Sequence, residues 1–345
     1  MIIVNATALD KSGALSILKQ FIYNIPKDDT NWLIFVSDAI DITTFNVNVT
    51  LVPVRGVKSM HKRLLWDAFG LNKWLKNHNI IPTATISLQN TGFRVSAKNI
   101  PQFIYYHNSI PFYPYNWNIF KKEHRTLWFY KYIYPFFVKL FLTKQTKIFV
   151  QLDFIRNGFV KKFKHNPNLV KVYSPTISNT FSAERHIGNL SGNLSFFYPA
   201  TDYFYKNHRV IIEGLSLSNK DLELYFTLTQ NSRDSRIQYL GTIPFEKVCE
   251  MYYSCDCLLY PSYIETYGLP LIEAALTGMP IIAADLPYAR EVLDGYEGVI
   301  FVSHNDPQAW ADAMQKIEKG KRFRPIDISC RPNWKELFEY IKLSI

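Results

Sequence analysis

Residues 257–284, CLLYPSYIETYGLPLIEAALTGMPIIAA, place two short unbroken apolar runs, CLLY and PIIAA, on either side of a loop and a helix-length stretch. A strand without polar alternation is buried on both faces, and that occurs in parallel sheets covered by helices. The intervening helix is expected over 270–277, with Pro270 in its first turn and Gly278 at its end, the preferred asymmetry. The same rhythm extends backwards through strands at 193–198 (NLSFFY), 222–229 (LELYFTLT) and 237–240 (IQYL) and helices at 206–217 and 244–254. The first half begins alike, with a strand at 2–5, a loop containing Gly13 and a helix over 14–23. Apolar strands recur there at 32–36, 85–88, 103–106 and 147–150. Alternating strand and helix predicts doubly wound parallel sheets. The 345 residues exceed what one core organises, so two α/β domains are expected.

Several classes are disfavoured. The N-terminus, MIIVNATALDKSGAL, has neither the basic region nor the long apolar region of an export signal. The most apolar window, LWFYKYIYPFFVKLFL at 127–142, is interrupted by Lys131, Pro135 and Lys139, so no membrane-spanning helix is expected. A cytoplasmic location follows as the expectation, with reduced thiols at Cys249, Cys255, Cys257 and Cys330. The net charge of +10 is divided unevenly. Residues 1–175 hold 23 Lys+Arg against 8 Asp+Glu, whereas the rest hold 16 against 21. A basic half suits nucleic acid, anionic lipid or a phosphorylated substrate.

The chemistry is expected at the carboxyl ends of the strands, where open parallel sheets bind ligands. Glu265 lies in the loop leaving the 257–260 strand, and Gly268 permits close backbone approach just before the helix. Unpaired amides at that helix start suit an anion, phosphate above all. Glu273, about one turn in, can reach back to whatever binds there. Phosphate-binding amides beside two hydroxyl-accepting carboxylates match what a sugar nucleotide presents.

The block from Ile237 onward, IQYLGTIPFEKVCEMYYSCDCLLYPSYIETYGLPLIEAALTGMPIIAADLPYAREVL, resembles the donor-binding half of retaining GT-B glycosyltransferases, the large Glu-x7-Glu group (group 1, family 4 type) related to glycogen and sucrose synthases. Glu265 and Glu273 stand in its Pro-Ser…Glu-x-aromatic-Gly-Leu-Pro…Glu-Ala…Gly-x-Pro frame, complete from Pro261 to Pro280. The resemblance implies an α/β GT-B fold of two Rossmann-like, doubly wound domains facing each other across a cleft. It implies an acceptor-binding domain at 1–175, a nucleotide-sugar-binding domain at 176–330 and a C-terminal helix at 331–345 crossing back to the first. By the same resemblance, Glu273 accepts from the nucleotide ribose, Glu265 lies beside the transferred sugar, and amides around Gly268 and Leu269 contact sugar hydroxyls and diphosphate. Lys206 matches the lysine that neutralises the diphosphate, although Ala200 and Thr201 stand where an arginine is usual. Gly13 replaces a Gly-Gly loop, and His107 matches a histidine facing the sugar, followed here by Asn108 in place of aspartate.

The expected activity is therefore retaining, metal-independent transfer of a sugar from a nucleotide-diphosphate donor to a glycan or lipid-diphosphate-linked acceptor, as in bacterial O-antigen or capsule assembly. No cofactor is expected, since the family generally works without a metal and no Asp-x-Asp motif is present. The catalytic candidates are Glu265, His107 and Lys206. Gly13, Lys206, Gly268, Leu269 and Glu273 are the donor-binding candidates, and Arg156, Lys62 and Arg63 are candidates for acceptor or membrane contact. The aromatic-basic segments at 58–79 and 120–139 suit interfacial helices on an anionic membrane, at the inner face of the cytoplasmic membrane. Packing into the core is their other reading. Rival functions are a sugar-nucleotide-binding scaffold without catalysis and a GT-B-fold sugar-nucleotide epimerase. A nucleic-acid binder would leave the Glu-x7-Glu frame unexplained, so no nucleic-acid partner is expected.

Overall fold

The computed structural model describes all residues except 11, 41, 43, 45, 58, 178–191, 219–220 and 231–233. Lys11 of the loop expected after the first strand, and Lys58 of the first aromatic-basic segment, lie outside the described residues. The chain forms two compact units, Met1–Thr176 together with Arg331–Ile345, and Ile177–Cys330.

The N-terminal unit is built on seven parallel strands: β1 (Ile2–Ala6), β2 (Trp32–Ser37), β3 (Val49–Val54), β4 (Ala84–Ser87), β5 (Gln102–Tyr105), β6 (Lys147–Val150) and β7 (Val170–Val172). Their order is β3-β2-β1-β4-β5-β6-β7, so the winding direction reverses between β1 and β4. Strands β1, β2 and β4 are buried at every position, as their apolar runs require of a sheet covered on both faces. The helix Trp334–Lys342 packs in this unit. It opens on a capping box between Asn333 and Glu336, which satisfies free amides at its start. Its apolar face drives Trp334 and Phe338 against Phe21 and Phe338 against Trp32, with the Trp334 indole donating to Gln20 Oε1 at 2.9 Å.

The C-terminal unit has six parallel strands: β8 (Leu194–Tyr198), β9 (Leu222–Phe226), β10 (Ile237–Tyr239), β11 (Cys257–Tyr260), β12 (Ile281–Ala284) and β13 (Val299–Val302). The order β10-β9-β8-β11-β12-β13 places its reversal between β8 and β11. β9 ends at Phe226, short of the Thr229 expected. The apolar helix Leu269–Leu276 buries Leu271, Ile272, Ala274 and Ala275, and its small residues let it lie close on the sheet. Cys249, Cys255 and Cys257 are buried thiols outside any disulfide, whereas Cys330 is exposed.

Four expected segments differ in detail. Gly13 belongs to the first turn of the helix Ser12–Asn24 and not to a loop. Lys206 ends a 3₁₀ turn, Phe204–Lys206, and the helix proper begins at His208 after Asn207 in the left-handed region. The 127–142 window is a helix interrupted by a π-turn at Phe129–Ile133, and the 58–79 segment is likewise interrupted at Trp66–Gly70. Among the described residues, no helix is long and apolar enough to cross a membrane.

Candidate active site

At the β8/β11 reversal, the chain leaving β8 turns through Lys206 and the chain leaving β11 turns through Glu265. The lysine Nζ lies 2.5 Å from Glu265 Oε1, and the pair is largely shielded, with about a sixth and an eighth of the side chains exposed (16% and 13%). Tyr260, the last residue of β11, donates its hydroxyl to the same oxygen at 2.8 Å. Burial and then the Glu265 charge push the Tyr260 phenol well above its ordinary range, so it stays a donor. The Lys206 ammonium also lies 5.9 Å from the ring centroids of Tyr205 and Tyr260. Tyr198, at the end of β8, donates to the Lys206 carbonyl at 2.7 Å, which anchors the turn that carries the lysine. Asn207 reinforces it by donating to His304 O at 2.6 Å.

Gly268 caps the following helix with φ +83°, a conformation that a side chain strains. Pro270 has no N–H, and the Leu271 amide donates to Gly268 O at 2.9 Å. Among the described residues, the amides of Gly268 and Leu269 make no hydrogen bond, so they are the donors this helix start offers to an anion.

Glu273 is not an acid on an exposed face. It is 8% exposed, and Tyr252 donates to its Oε2 at 2.8 Å. Burial raises its carboxyl to about 7 against the pull of that hydrogen bond. No described residue donates to Oε1, which leaves that oxygen for a ligand hydroxyl. The two carboxylates are therefore stabilised differently: Glu265 by a lysine and a tyrosine, and Glu273, among the described residues, by a tyrosine.

The candidates of the first half are separated from these by lying in the other unit. His107 follows β5 and lines a pocket of about 510 Å³ at the carboxyl ends of β1, β4 and β5. Its Nε2 pairs with Leu88 O at 2.9 Å, its amide donates to Asn90 Oδ1 at 2.6 Å, and burial lowers its imidazole pKa. Gly13 is exposed, and a methyl group there would meet nothing within 4 Å, so the fold itself does not demand glycine. Arg63 lines the same pocket as His107, whereas Lys62 on the next residue is exposed and does not. Arg156 is engaged within its own unit: Nε donates to Val170 O at 3.1 Å, and the other nitrogens reach Pro167 O and Asp153 at 3.4 Å. It holds the helix Asp153–Phe163 to edge strand β7.

Tyr252, Tyr260 and Tyr198 were missed by sequence reasoning; a tyrosine closing an otherwise aliphatic strand, as in CLLY, is the signal that could have found Tyr260. Asp67 was missed as well, although it is the lone acid among the basic and aromatic residues of 58–79. It is 2% exposed and lines the His107 pocket. Among the described residues, no group of three or more His, Cys, Asp or Glu side chains could hold a metal ion.

Residues 200–327 match the family profile "Glycosyl transferases group 1". A D-inositol 3-phosphate glycosyltransferase of Corynebacterium diphtheriae is 36% identical over 117 residues, 32% of this chain and 27% of that protein. The O-antigen chain mannosyltransferase RfbU of Salmonella typhimurium is 27% identical over 141 residues, 41% of this chain and 35% of that protein. These matches span about a quarter to a third of the curated relatives' own length. Across nearly the whole chain, the structure superposes on WaaG, a glycosyltransferase involved in lipopolysaccharide biosynthesis, with a TM-score of 0.67, 15% identity and coverage of 92% and 91% of the two chains. The two parallel-sheet α/β units form a GT-B fold, and the residues that match the glycosyl transferases group 1 profile lie in the C-terminal one.

Proposed function

We propose that the protein is a retaining glycosyltransferase that takes a sugar from a nucleotide-diphosphate donor. The observation that carries this reading is the convergence of Lys206, Glu265 and the free amides of Gly268 and Leu269 at the switch point of the C-terminal sheet. Negative charge grows on the departing diphosphate, so a preorganised cation and amides there supply the main stabilisation of the transition state. Lys206 would exchange Glu265 for the diphosphate, and Glu265 would turn to the sugar. Glu273 Oε1 suits the ribose hydroxyls. Retention follows if the leaving phosphate takes the acceptor proton on the same face of the sugar, which needs neither a covalent enzyme intermediate nor a metal.

The roles of the relatives, an O-antigen mannosyltransferase and a lipopolysaccharide glycosyltransferase, support a place in bacterial surface-glycan assembly with a lipid-linked acceptor. An exposed apolar stripe on the N-terminal unit supports peripheral membrane contact. Tyr132, Ile133, Phe136 and Leu140 recur at helical spacing, Phe136 at 67% exposure, beside exposed Lys139. Lys131 does not contribute, because its ammonium turns inward to the carbonyls of Tyr113 and Tyr115.

A thermal-shift screen over nucleoside diphosphates and their sugars tests the donor site. A ligand at 100 times its Kd stabilises by about 2.7 kcal/mol. Absence of any shift across UDP-, GDP-, ADP- and TDP-sugars refutes the reading. Incubation of the stabilising donor without acceptor separates transfer from epimerisation, which alone yields an isomerised nucleotide sugar. Flotation with phosphatidylglycerol vesicles tests membrane contact.

A further inference from the structure

We propose that a second cavity of the N-terminal unit, at the amino ends of its strands, binds a small organic phosphate through Arg94, Lys144 and Lys147. The inference goes beyond the glycosyltransferase reading, because this cavity opens on the opposite edge of the sheet from the His107 pocket and its ligand takes no part in transfer.

The cavity has a volume of about 900 Å³. Thr85, Gln102 and Lys147 form its floor, and they stand at the starts of β4, β5 and β6. One wall is the connection from β4 to β5, between Phe93 and Pro101. The other runs from Leu140 to Gln145, where the helix Tyr134–Phe141 ends and the chain turns into β6. Both walls are fixed in place. The Arg94 amide donates to Asp67 O at 2.9 Å, and Gln102 Nε2 donates to Phe93 O at 3.2 Å. Thr146 donates its hydroxyl to Gln102 Oε1 at 2.8 Å, so one floor residue holds both walls. At Gly92 a methyl group would fall 2.9 Å from Gln102 Nε2 and 3.0 Å from Phe141 Cβ, so the first wall is wedged against the helix end. A site with so little freedom is largely formed before a ligand arrives.

Its charge is one-sided. The described residues that line it include three cations, Arg94, Lys144 and Lys147, and no aspartate or glutamate. Among the described residues none of the three pairs with a carboxylate. Other cations of the same unit are satisfied: Lys131 by the carbonyls of Tyr113 and Tyr115, and Lys342 by Asp28. Aromatic rings orient two of the cavity's cations without neutralising them. The Arg94 guanidinium lies 5.9 Å from the Phe141 ring, and the Lys147 ammonium 5.3 and 5.4 Å from those of Phe103 and Tyr340. Burial pulls the Lys147 ammonium below the usual lysine range, and a bound anion would reverse that.

The lining also limits the ligand class. A guanidinium fork and two ammonium groups match the several oxygens and the double charge of a phosphate ester. The volume far exceeds that of a phosphate ion and falls in the range of small-molecule sites. Ile100, Pro101, Leu142 and Leu169 supply apolar wall for an organic body.

The test is calorimetric titration of the full chain with phenyl phosphate, with inorganic phosphate and phenol as comparisons, in saturating UDP to occupy the C-terminal site. Phenyl phosphate is expected to bind at least tenfold more tightly than either comparison. The double variant Lys144→Gln, Lys147→Gln should weaken it at least tenfold, and Arg94→Gln about fivefold, with UDP affinity and circular dichroism unchanged. Lys147→Arg, which keeps the charge, should bind within about twofold of wild type. Should the double variant fail to fold, Arg94→Gln carries the test, because Arg94 is exposed. Phenyl phosphate that fails to bind, that binds no better than inorganic phosphate, or that binds the folded variants as well as wild type overturns the proposal. Failure of UDP to bind the wild-type chain would instead strike the donor reading and leave the comparison of variants intact. Dihexanoyl phosphatidic acid below its micelle concentration separates two sources of the phosphate. Binding tenfold tighter than phenyl phosphate marks a lipid headgroup and equal or weaker binding a soluble ester; either upholds the organic-phosphate class.

Discussion

Lys206 and Glu265 are 59 residues apart in the chain and 2.5 Å apart at the mouth of the C-terminal sheet, each stationed by a strand-ending tyrosine. The pair gives the ammonium a partner while no diphosphate is bound, and it makes the two residues separable by mutation. Lys206→Met should weaken nucleoside-diphosphate binding at least tenfold. Glu265→Gln releases the lysine, so it should bind the same nucleotide as well as wild type or better, while transfer falls about 10²–10³-fold. Titration calorimetry and single-turnover transfer measure the two effects. A purely structural ion pair would instead lower the melting temperature in both variants and leave their nucleotide affinities alike.

Glu273 and Asp67 make stability depend on pH in an unusual direction. Both carboxyls are raised by burial to about 7, from ordinary values of 4.5 and 3.8. A raised acid binds its proton more tightly when folded, so the fold is most stable where both groups are protonated. It loses stability as pH rises from about 4 to about 7 and levels off above. The loss is at most about 3–4 kcal/mol per group, at 1.36 kcal/mol per unit. Melting temperature against pH should fall across that range in wild type. Glu273→Gln and Asp67→Asn should each flatten part of the slope. A wild-type profile flat from pH 4 to 8 would show that neither group titrates as its burial implies.

Gly13 and Gly268 give opposite expectations for the same substitution. Gly268→Ala forces an L side chain to φ +83° and sets its Cβ 3.3–3.5 Å from Leu271, Tyr288 and Tyr260. It should cost about 1–2 kcal/mol, visible in urea unfolding. Gly13→Ala places a good helix former in a helical turn with open space around it, so stability should rise by about 0.5–1 kcal/mol. If the Gly13 backbone approaches the donor, KM for the nucleotide sugar should rise in the stabilised protein. An unchanged KM removes Gly13 from the donor site.

Most of the strands legible in the sequence were those that parallel packing buries on both faces, because these read as continuous apolar runs; the edge strand β10 is the exception. Strands β3, β7 and β13 escaped notice, and each is a sheet edge. β3 carries Pro53 and is buried only at its two ends, β7 has three residues, and β13 is only half-buried throughout. Glu265 and Glu273 were legible because a carboxylate inside an apolar frame demands a partner. Lys206 was legible through the family resemblance, but its pairing with Glu265 and the tyrosines Tyr252 and Tyr260 were not, since these residues come from separate elements that only the sheet topology brings together. Asp67 was hidden for a further reason: a π-turn shifts a helix face by one residue, and no hydrophobic period reveals it.

Arg156 allows a decision between an acceptor contact and a structural one. Its Nε donates to Val170 O on edge strand β7, and it also reaches Pro167 O, so its loss frees carbonyls at the end of the N-terminal sheet. The Arg156 side chain is about one-third exposed and that of Asp153 is mostly exposed, so little of its contribution comes from their contact at 3.4 Å. Two hydrogen bonds from a charged donor to carbonyls are worth about 1–3 kcal/mol together. Arg156→Ala should therefore lower stability by that amount in chemical denaturation, and Arg156→Lys, which cannot reach both carbonyls at once, should recover less than half. Transfer measured well below the melting temperature should keep its KM for acceptor. A rise in acceptor KM of tenfold or more with stability unchanged would move Arg156 from the scaffold to the substrate.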